Sequence, residues 1–178
     1  EAAVFTDDGE RLPTGEVGEL ALHSPYLFKG YLNPEDNNPS PFRDGWFMTG
    51  DLAKIDEDGY ISIVGRRKEM INSGAMKVLP REVEDTCTNH PDVGEACVVP
   101  LPHPTLGEQV AAAVVRRTDR LTQKELLDHL KAHLAPFKVP SVIYFVDAIP
   151  RSTAGKMMRR EVIAMIKAEM EREATAYQ

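Results

Sequence analysis

The sequence predicts an α+β protein in which a strand-rich first part precedes a part where helices and strands alternate. Apolar runs separated by turn residues dominate residues 1–65. From residue 66 onward, helix-start signals and strand signals follow one another, and residues 122–125 carry a complete helix-capping signal. We therefore expect helices packed on a mixed sheet in the second part.

The first part is expected to hold short strands joined by turns. Apolar patterning marks strands near residues 3–5, 17–22, 52–55 and 60–64. Asp56-Glu57-Asp58-Gly59 separates the last two, which predicts a hairpin. Prolines and asparagines crowd residues 33–45 and cannot continue a ladder or a helix, so this segment is expected to be a loop.

The second part begins with a helix near residues 81–89. Pro80 suits the first helical position, and Pro91 follows the end of the helix. Residues 93–99 and 109–115 are rich in β-branched and apolar residues and predict two strands.

A capping box marks the next helix. Thr122 and Glu125 have the required spacing, and Leu121 and Leu126 can form a hydrophobic staple. The apolar stripe of this helix is Leu126, Leu127, Leu130 and Leu134, and the helix should end before Pro136. Residues 142–146 predict a strand, and the last helix carries Val162, Ile163, Ile166 and Met170 at helical spacing.

Composition limits the functional classes. The 178 residues carry a net charge of -7, so the chain lacks the basic footprint of a general nucleic-acid-binding protein. No apolar run approaches the length of a membrane span. Two cysteines, Cys87 and Cys97, are too few for a disulfide framework and predict a reducing, cytoplasmic setting. The chain begins at Glu1 without Met, so we expect a piece of a longer protein.

Lys156 is the most conspicuous candidate for anion binding. It follows Gly155 on a short loop ahead of the last helix, whose first turn carries Arg159 and Arg160. These cations oppose the helix dipole, so a bound phosphate or carboxylate would relieve the repulsion. The loop is not a Walker A motif, because Pro150 stands where that motif needs Gly and Met157 where it needs Ser or Thr. A solvated lysine at a helix start is the alternative.

The histidines offer a weaker candidate site. His129 and His133 are spaced four apart on one predicted helix, which suits metal chelation, but the sequence shows no third ligand for them. We expect ordinary surface residues and no metal site. Cys87 and Cys97 are expected to be small apolar residues beneath the sheet.

Three motifs follow one another along the chain: Gly45-Trp46-Phe47-Met48-Thr49-Gly50-Asp51, Gly65-Arg66-Arg67-Lys68-Glu69-Met70-Ile71 and Pro150-Arg151-Ser152-Thr153-Ala154-Gly155-Lys156. With Ser73-Gly74 and Pro80-Arg81-Glu82-Val83-Glu84 between them, they closely resemble the adenylate-forming acyl- and aryl-CoA synthetases. This superfamily includes luciferase and peptide-synthetase adenylation domains. The resemblance covers nearly the whole chain.

The resemblance implies two domains. Residues 1–65 would be the β-rich C-terminal end of the large adenylation domain, and residues 66–178 the mobile small C-terminal domain, with a hinge near Lys68. The family's Gly-rich, Ser/Thr-rich phosphate loop and its Tyr-Gly-x-Thr-Glu segment are missing from this sequence. We therefore expect the 178 residues alone to be inactive in adenylation.

The resemblance also implies roles for individual residues. Asp51 would bind the ribose of ATP, since one carboxylate can accept hydrogen bonds from both hydroxyls of the diol. Arg66 would close over the ribose and phosphates, Lys68 would be the hinge, and Lys156 would bridge the substrate carboxylate and the α-phosphate. Without the resemblance, Gly50-Asp51 is an ordinary turn and residues 66–68 are a solvated basic patch, which is what we expect for Arg67.

A loop after the hinge departs from the family pattern. Ser73, Gly74 and Ala75 fall on the segment that lines the pantetheine tunnel of coenzyme A in the family, and Ala75 stands where glycine is most regular. A methyl group there is expected to narrow the tunnel or shift the main chain.

The function implied by the resemblance is that of an ATP-dependent carboxylate–CoA ligase, using ATP, coenzyme A and Mg²⁺, with Mg²⁺ held mainly by the large domain. The alternatives are an adenylation domain that loads a carrier protein and a non-catalytic module that binds a nucleotide or a partner protein. The acid remains open, because the family's acyl pocket lies in the large domain.

Overall fold

A computed structural model describes residues 1–30 and 41–176, which form two compact units, Glu1–Lys68 and Glu69–Gln178. The first unit is built from strands, and the second combines strands with three helices among its described residues. The predicted α+β class is confirmed. None of the helices in the described residues has the length and apolar composition needed to cross a membrane.

The first unit is an antiparallel sheet. Its described strands are β1 (Ala2–Phe5), β2 (Gly18–Leu22), β3 (Phe42–Arg43), β4 (Trp46–Ile55) and β5 (Ile61–Arg66). The order is β1-β2-β4-β3, with β5 also paired to β4. Val4, Leu20 and Ala53 form its small buried core. The hairpin predicted around the turn at residues 56–59 is present as β4 and β5.

The prediction of a loop at residues 33–45 is wrong for the last residues of this range. Phe42–Arg43 is a short strand that pairs with Trp46–Phe47 of β4, while residues 33–40 lie outside the described residues. Asp44 and Gly45 connect the two strands, and both have positive φ (49° and 83°). Two positive φ values in a two-residue loop are the signature of a type I′ hairpin turn, for which Asp-Gly is a favoured sequence.

The second unit is a mixed sheet with helices on both faces. Its strands are β6 (Ile71–Ser73), β7 (Met76–Val78), β8 (Val93–His103), β9 (Gly107–Arg116) and β10 (Val142–Phe145). The order is β10-β9-β6-β7 with β8 on β9; β10 runs parallel to β9 and the other pairs are antiparallel. The helices are α1 (Pro80–Thr88), α2 (Gln123–His133) and α3 (Arg159–Ala176).

Alternation along β8 and β9 divides the apolar residues between two cores. Ala96, Val98, Ala112 and Val114 face the core that contains residues of α1 and α2, whereas Cys97, Val99, Ala111 and Ala113 face the core that contains residues of α3. The sheet therefore fixes the positions of all three helices, including the start of α3 that follows Lys156.

Most elements of the second unit match their predictions. The capping box of α2 is complete, with Thr122 and Glu125 exchanging hydrogen bonds, and Leu121 and Leu126 are buried. Pro80 is the first residue of α1, and Cys87 and Cys97 are buried free thiols. Met170, predicted to lie on the apolar stripe of α3, is 38% exposed, because the surrounding last turns of α3 are mostly charged and lie in solvent.

β8 is longer than predicted and passes through Pro100 and Pro102. Val98 N–H donates to Glu84 on α1, so it points away from β9. Residues two and four positions later share this orientation, so the N–H groups that the prolines lack would not have taken part in the pairing with β9. The prolines therefore do not end the strand.

Candidate functional site

Asp51 and Arg66 are brought together by strand pairing. They lie opposite each other in the register of β4 and β5, and they form an ion pair in which Arg66 Nε lies 2.7 Å from Asp51 Oδ1. The side chain of Asp51 is 26% exposed and that of Arg66 is 51% exposed. The arginine side of the pair is therefore open to solvent. Arg66 is the last residue of β5, the second strand of the hairpin.

Gly50 shapes the backbone that presents Asp51. Its φ is +73°, a conformation that L side chains rarely adopt, and a β-carbon on Gly50 would meet no atom within 4 Å. Thr49 Oγ1 donates to Leu20 O at 2.8 Å and accepts from Asp51 N at 3.1 Å. The irregular segment Thr49-Gly50-Asp51 is therefore held against β2 by the hydroxyl of Thr49. This contact fixes the backbone from which the Asp51 side chain projects.

Arg67 is not the solvated residue that we expected. Its guanidinium donates to Glu19, which is 6% exposed and is the only buried charged residue among the described residues. Arg67 also pairs with Asp7 at 3.0 Å. A buried carboxylate needs a hydrogen-bonded cation, and Arg67 supplies it.

Lys68, the predicted hinge, is the last residue of the first unit. It is exposed and lies in the three-residue 3-10 turn Arg67–Glu69. No side-chain hydrogen bond or ion pair links it to another described residue. Its backbone is followed directly by the second unit, and its role as a hinge stays a prediction.

Ser73, Gly74 and Ala75 form the tip of the β6–β7 hairpin. Ser73 pairs with Met76, and the two residues between them make the turn. Gly74 has a φ of +62° and donates its N–H to Leu106 O at 2.8 Å, whereas Ala75 is exposed and does not have a positive φ. Alanine is therefore unstrained at position 75, and the glycine that this turn requires is Gly74.

Lys156 projects from a tight turn in the second unit. Arg151 and Met157 form an isolated β-bridge around the turn. Within it, Ser152 N donates to Lys156 O at 2.9 Å, and Gly155 N donates to Ser152 O at 2.8 Å. Gly155 has a φ of +76°. The ammonium group of Lys156 is exposed, and no described residue pairs with it. A cation on a defined backbone is thus free to meet an anion.

We expected Arg159 to add an unpaired positive charge at the start of α3, and the structure corrects this expectation. Its guanidinium pairs with Glu84 of α1 and Glu69, and also donates to Val98 O of β8 at 2.8 Å. Burial lowers the pKa of Arg159, but the hydrogen bonds and charge of Glu84 outweigh burial and raise it overall. Arg159 is therefore a structural tie. Arg160 is exposed.

The histidines lie closer together than the sequence indicates. His90 and His129 have ring centroids 5.1 Å apart, and His129 and His133 are 4.5 Å apart. However, His129 Nε2 bonds to Thr86 O and His133 Nδ1 to His129 O. In the part of the chain that is described, no group of three or more His, Cys, Asp or Glu residues could hold a metal ion.

The two thiols are poor nucleophiles. Burial, reinforced by the charge of Glu84, raises the pKa of Cys87 to about 12. Burial also raises the pKa of Cys97 to about 11, although the nearby Arg159 opposes this effect. Because the thiolate is the reactive form, neither cysteine suits nucleophilic catalysis at neutral pH.

The sequence of the chain is similar to a known protein family and to curated proteins. A family model, the AMP-binding enzyme C-terminal domain, matches residues 82–156. A long-chain-fatty-acid–CoA ligase of Yersinia pestis is 39% identical over 156 residues, which are 88% of this chain and 28% of the ligase. The chain thus spans less than a third of the length of that curated relative.

Two solved structures also match most of this chain while the chain covers about a third of each of them. ATP-bound MatB from Rhodopseudomonas palustris matches with a TM-score of 0.86 at 38% identity, over 94% of this chain and 34% of MatB. The o-succinylbenzoate CoA synthetase MenE of Bacillus subtilis, in complex with the acyl-adenylate OSB-AMP, matches with a TM-score of 0.81 at 32% identity, over 91% of this chain and 33% of MenE.

Proposed function

We propose that the chain is the C-terminal part of an ATP-dependent carboxylate–CoA ligase, since residues 82–156 match the model of the AMP-binding enzyme C-terminal domain family. The substrate carboxylate attacks the α-phosphorus of ATP, pyrophosphate leaves, and an acyl-adenylate forms. The thiol of coenzyme A then attacks the acyl carbon and AMP leaves. The exposed Lys156, whose ammonium pairs with none of the described residues, carries this proposal from its hydrogen-bonded turn.

Lys156 would act in the first step. Negative charge grows on the phosphoryl oxygens as the carboxylate approaches, and a nearby ammonium lowers the energy of that arrangement. A lysine already engaged with a carboxylate would have to break that pair first. Lys156 has no such partner among the described residues, which supports its assignment as the residue that bridges the acid and the α-phosphate.

Asp51 and Arg66 would bind the nucleotide. Asp51 pairs with Arg66 through Oδ1, and the carboxylate would accept hydrogen bonds from the ribose hydroxyls. Arg66 pairs through Nε and is 51% exposed, and its Nη groups would donate toward phosphate. The ion pair therefore offers both an acceptor and donors to one nucleotide.

Lys68 and the hairpin tip would serve the second step. We assign Lys68 as the point where the backbone turns between adenylation and thioester formation, since it is exposed in a single 3-10 turn. Ser73, Gly74 and Ala75 would line the path of the pantetheine arm. The unstrained backbone at Ala75 supports a thioester step with alanine at this position.

The substrates of the proposed enzyme are a carboxylic acid, ATP and coenzyme A. Mg²⁺ would bind the phosphates of ATP and would be held mainly by the large domain. The buried free thiols fit a cytoplasmic protein. The relatives act on acids as different as long-chain fatty acids and o-succinylbenzoate, so the acid is left open.

The test begins with the mass of the native protein. An antibody against this chain should detect, in lysate of the source organism, a band several times heavier than 19.8 kDa. The purified full-length protein should then release pyrophosphate only when an acid substrate is present and form the acyl-CoA when coenzyme A is added. A native band at 19.8 kDa, or no acid-dependent pyrophosphate release with any acid class, would reject the ligase. Transfer to a carrier protein instead of coenzyme A would favour the carrier-loading alternative.

A further inference from the structure

Arg151 connects the turn of Lys156 to the sheet of the second unit. Its Nη1 donates to Gly155 O at 2.6 Å, and its Nη2 pairs with Glu95 Oε1 on β8. Gly155 O belongs to the peptide bond whose nitrogen is that of Lys156. One guanidinium thus bridges the peptide group that carries Lys156 and a carboxylate on a paired strand.

The turn depends on this polar link because it has little apolar support. Residues 153–156 are exposed. Ile149 before the turn and Met157 after it contact the core on the α3 face, so the chain is anchored on either side of the turn. The backbone hydrogen bonds inside the turn set its shape. The side-chain contacts of Arg151 add a direct link between the tip of the turn and β8.

A guanidinium is suited to this bridging role. Its N–H groups lie in one plane in a fixed fork, so engaging Glu95 with one Nη sets the direction in which the other meets Gly155 O. A lysine at position 151 could pair with Glu95 but would not fix the second direction, because its ammonium is a compact group on a flexible stem.

We propose that Arg151 and Glu95 form a positioning pair that holds the ammonium of Lys156 in place for acyl-adenylate formation. Neither residue needs to touch the substrate. The inference rests on the proposed function, because it requires Lys156 to act in the first step. It specifies that loss of the pair slows adenylation and spares thioester formation from an acyl-adenylate that is already made.

The test uses the full-length enzyme and measures the two half-reactions separately: single-turnover formation of the acyl-adenylate, and acyl-CoA formation from isolated acyl-adenylate and coenzyme A. Arg151→Met should slow the first about ten- to a hundredfold, as expected for a misplaced reacting group, and leave the second unchanged. Arg151→Lys should recover part of the loss, and Glu95→Gln, which keeps an acceptor, should lose less than Arg151→Met.

A double variant separates positioning from a general structural effect. If Arg151 acts through Lys156, Arg151→Met combined with Lys156→Ala should be no slower than Lys156→Ala alone. Lys124→Ala is the matched control, since it removes an exposed ion pair with Asp128 on α2, and it should match the wild type in both half-reactions.

Three results would overturn the inference: wild-type adenylation in Arg151→Met, equal loss in both half-reactions, or a further loss in the double variant. Unfolding midpoints of all variants identify any that fail to fold, and Glu95→Gln then supplies the comparison. A wild-type enzyme that releases no pyrophosphate would instead reject the proposed function, so the two failures are distinguishable.

Discussion

The two candidate sites are built in opposite ways. In the first unit, Asp51 and Arg66 face each other across paired strands and neutralise each other at 2.7 Å. In the second unit, Lys156 stands on a turn whose backbone is hydrogen-bonded but whose ammonium has no partner among the described residues. Under the proposed function, the first arrangement would bind a nucleotide through the remaining hydrogen-bonding groups of an ion pair. The second would bind through the charge of Lys156.

This difference predicts different responses to substitution. Removing Lys156 takes away a charge and leaves no partner exposed, so its effect should be confined to the reaction. Removing either member of the Asp51–Arg66 pair frees the other member, so the two residues should behave as a coupled unit. The predictions below test the contrast in order of decreasing effect.

Lys156→Ala should have the largest effect. In the full-length enzyme it should slow acyl-adenylate formation about a hundred- to a thousandfold, the usual cost of removing a group that stabilises transition-state charge. Stability should change little, because the side chain is exposed. Acid-dependent pyrophosphate release measures the rate, with Lys124→Ala as control. A loss below tenfold would show that the unpaired charge is not used.

Asp51→Asn should come next, and its effect should appear in ATP binding. We expect the KM for ATP to rise about tenfold or more, since hydrogen bonds to charged groups contribute about 1.5–3 kcal/mol. Arg66→Gln should give a smaller rise. The double variant should cost less than the sum of the two, because each single change also breaks the ion pair. Strict additivity in the KM values would contradict the coupled unit.

Gly50→Ala tests the backbone of the first site. Because Gly50 has a φ of +73° and open space around it, the substitution should cost about 1 kcal/mol through backbone strain alone. Gly50→Asn should cost less, since asparagine tolerates this conformation better. Urea unfolding followed by fluorescence of Trp46, the single tryptophan of the chain, measures the first unit. Equal costs for the two variants would argue against strain.

Ala75→Gly should have the smallest effect. It should destabilise the second unit by about 0.5 kcal/mol, because glycine adds freedom to the unfolded chain where no positive φ is needed. Gly74→Ala is the matched opposite change. It should cost more, since φ is +62° and the new methyl group would lie 3.4 Å from Leu106 Cδ2. Urea unfolding followed by circular dichroism compares them, and a reversed order would contradict the turn geometry.

Local signals made much of this fold predictable. The capping box of α2, Pro80 at the start of α1 and the hairpin that joins β4 to β5 each depend on residues a few positions apart. The short strand β3 is harder to predict. Asp44-Gly45 is a favoured sequence for a tight hairpin turn, but the prolines and asparagines before it are typical of a loop.

The ionic ties could not be predicted. Arg67 and Glu19 are 48 positions apart, Arg151 and Glu95 are 56 apart, and Arg159 and Glu84 are 75 apart. Nothing local in the sequence links such partners, because the tertiary fold brings them together. The motif of Lys156 was conspicuous from its residues, whereas the residues that hold its turn became visible only in the structure.

The buried thiols give the second unit an internal reporter of its own opening. Cys87 faces the core beneath α1 and α2, and Cys97 faces the core beneath α3. Since both thiols are shielded and held largely protonated, an alkylating reagent can label them only when the surrounding layer comes apart. Labelling rates at the two positions therefore time the detachment of the two helical layers separately, with no need to introduce a cysteine.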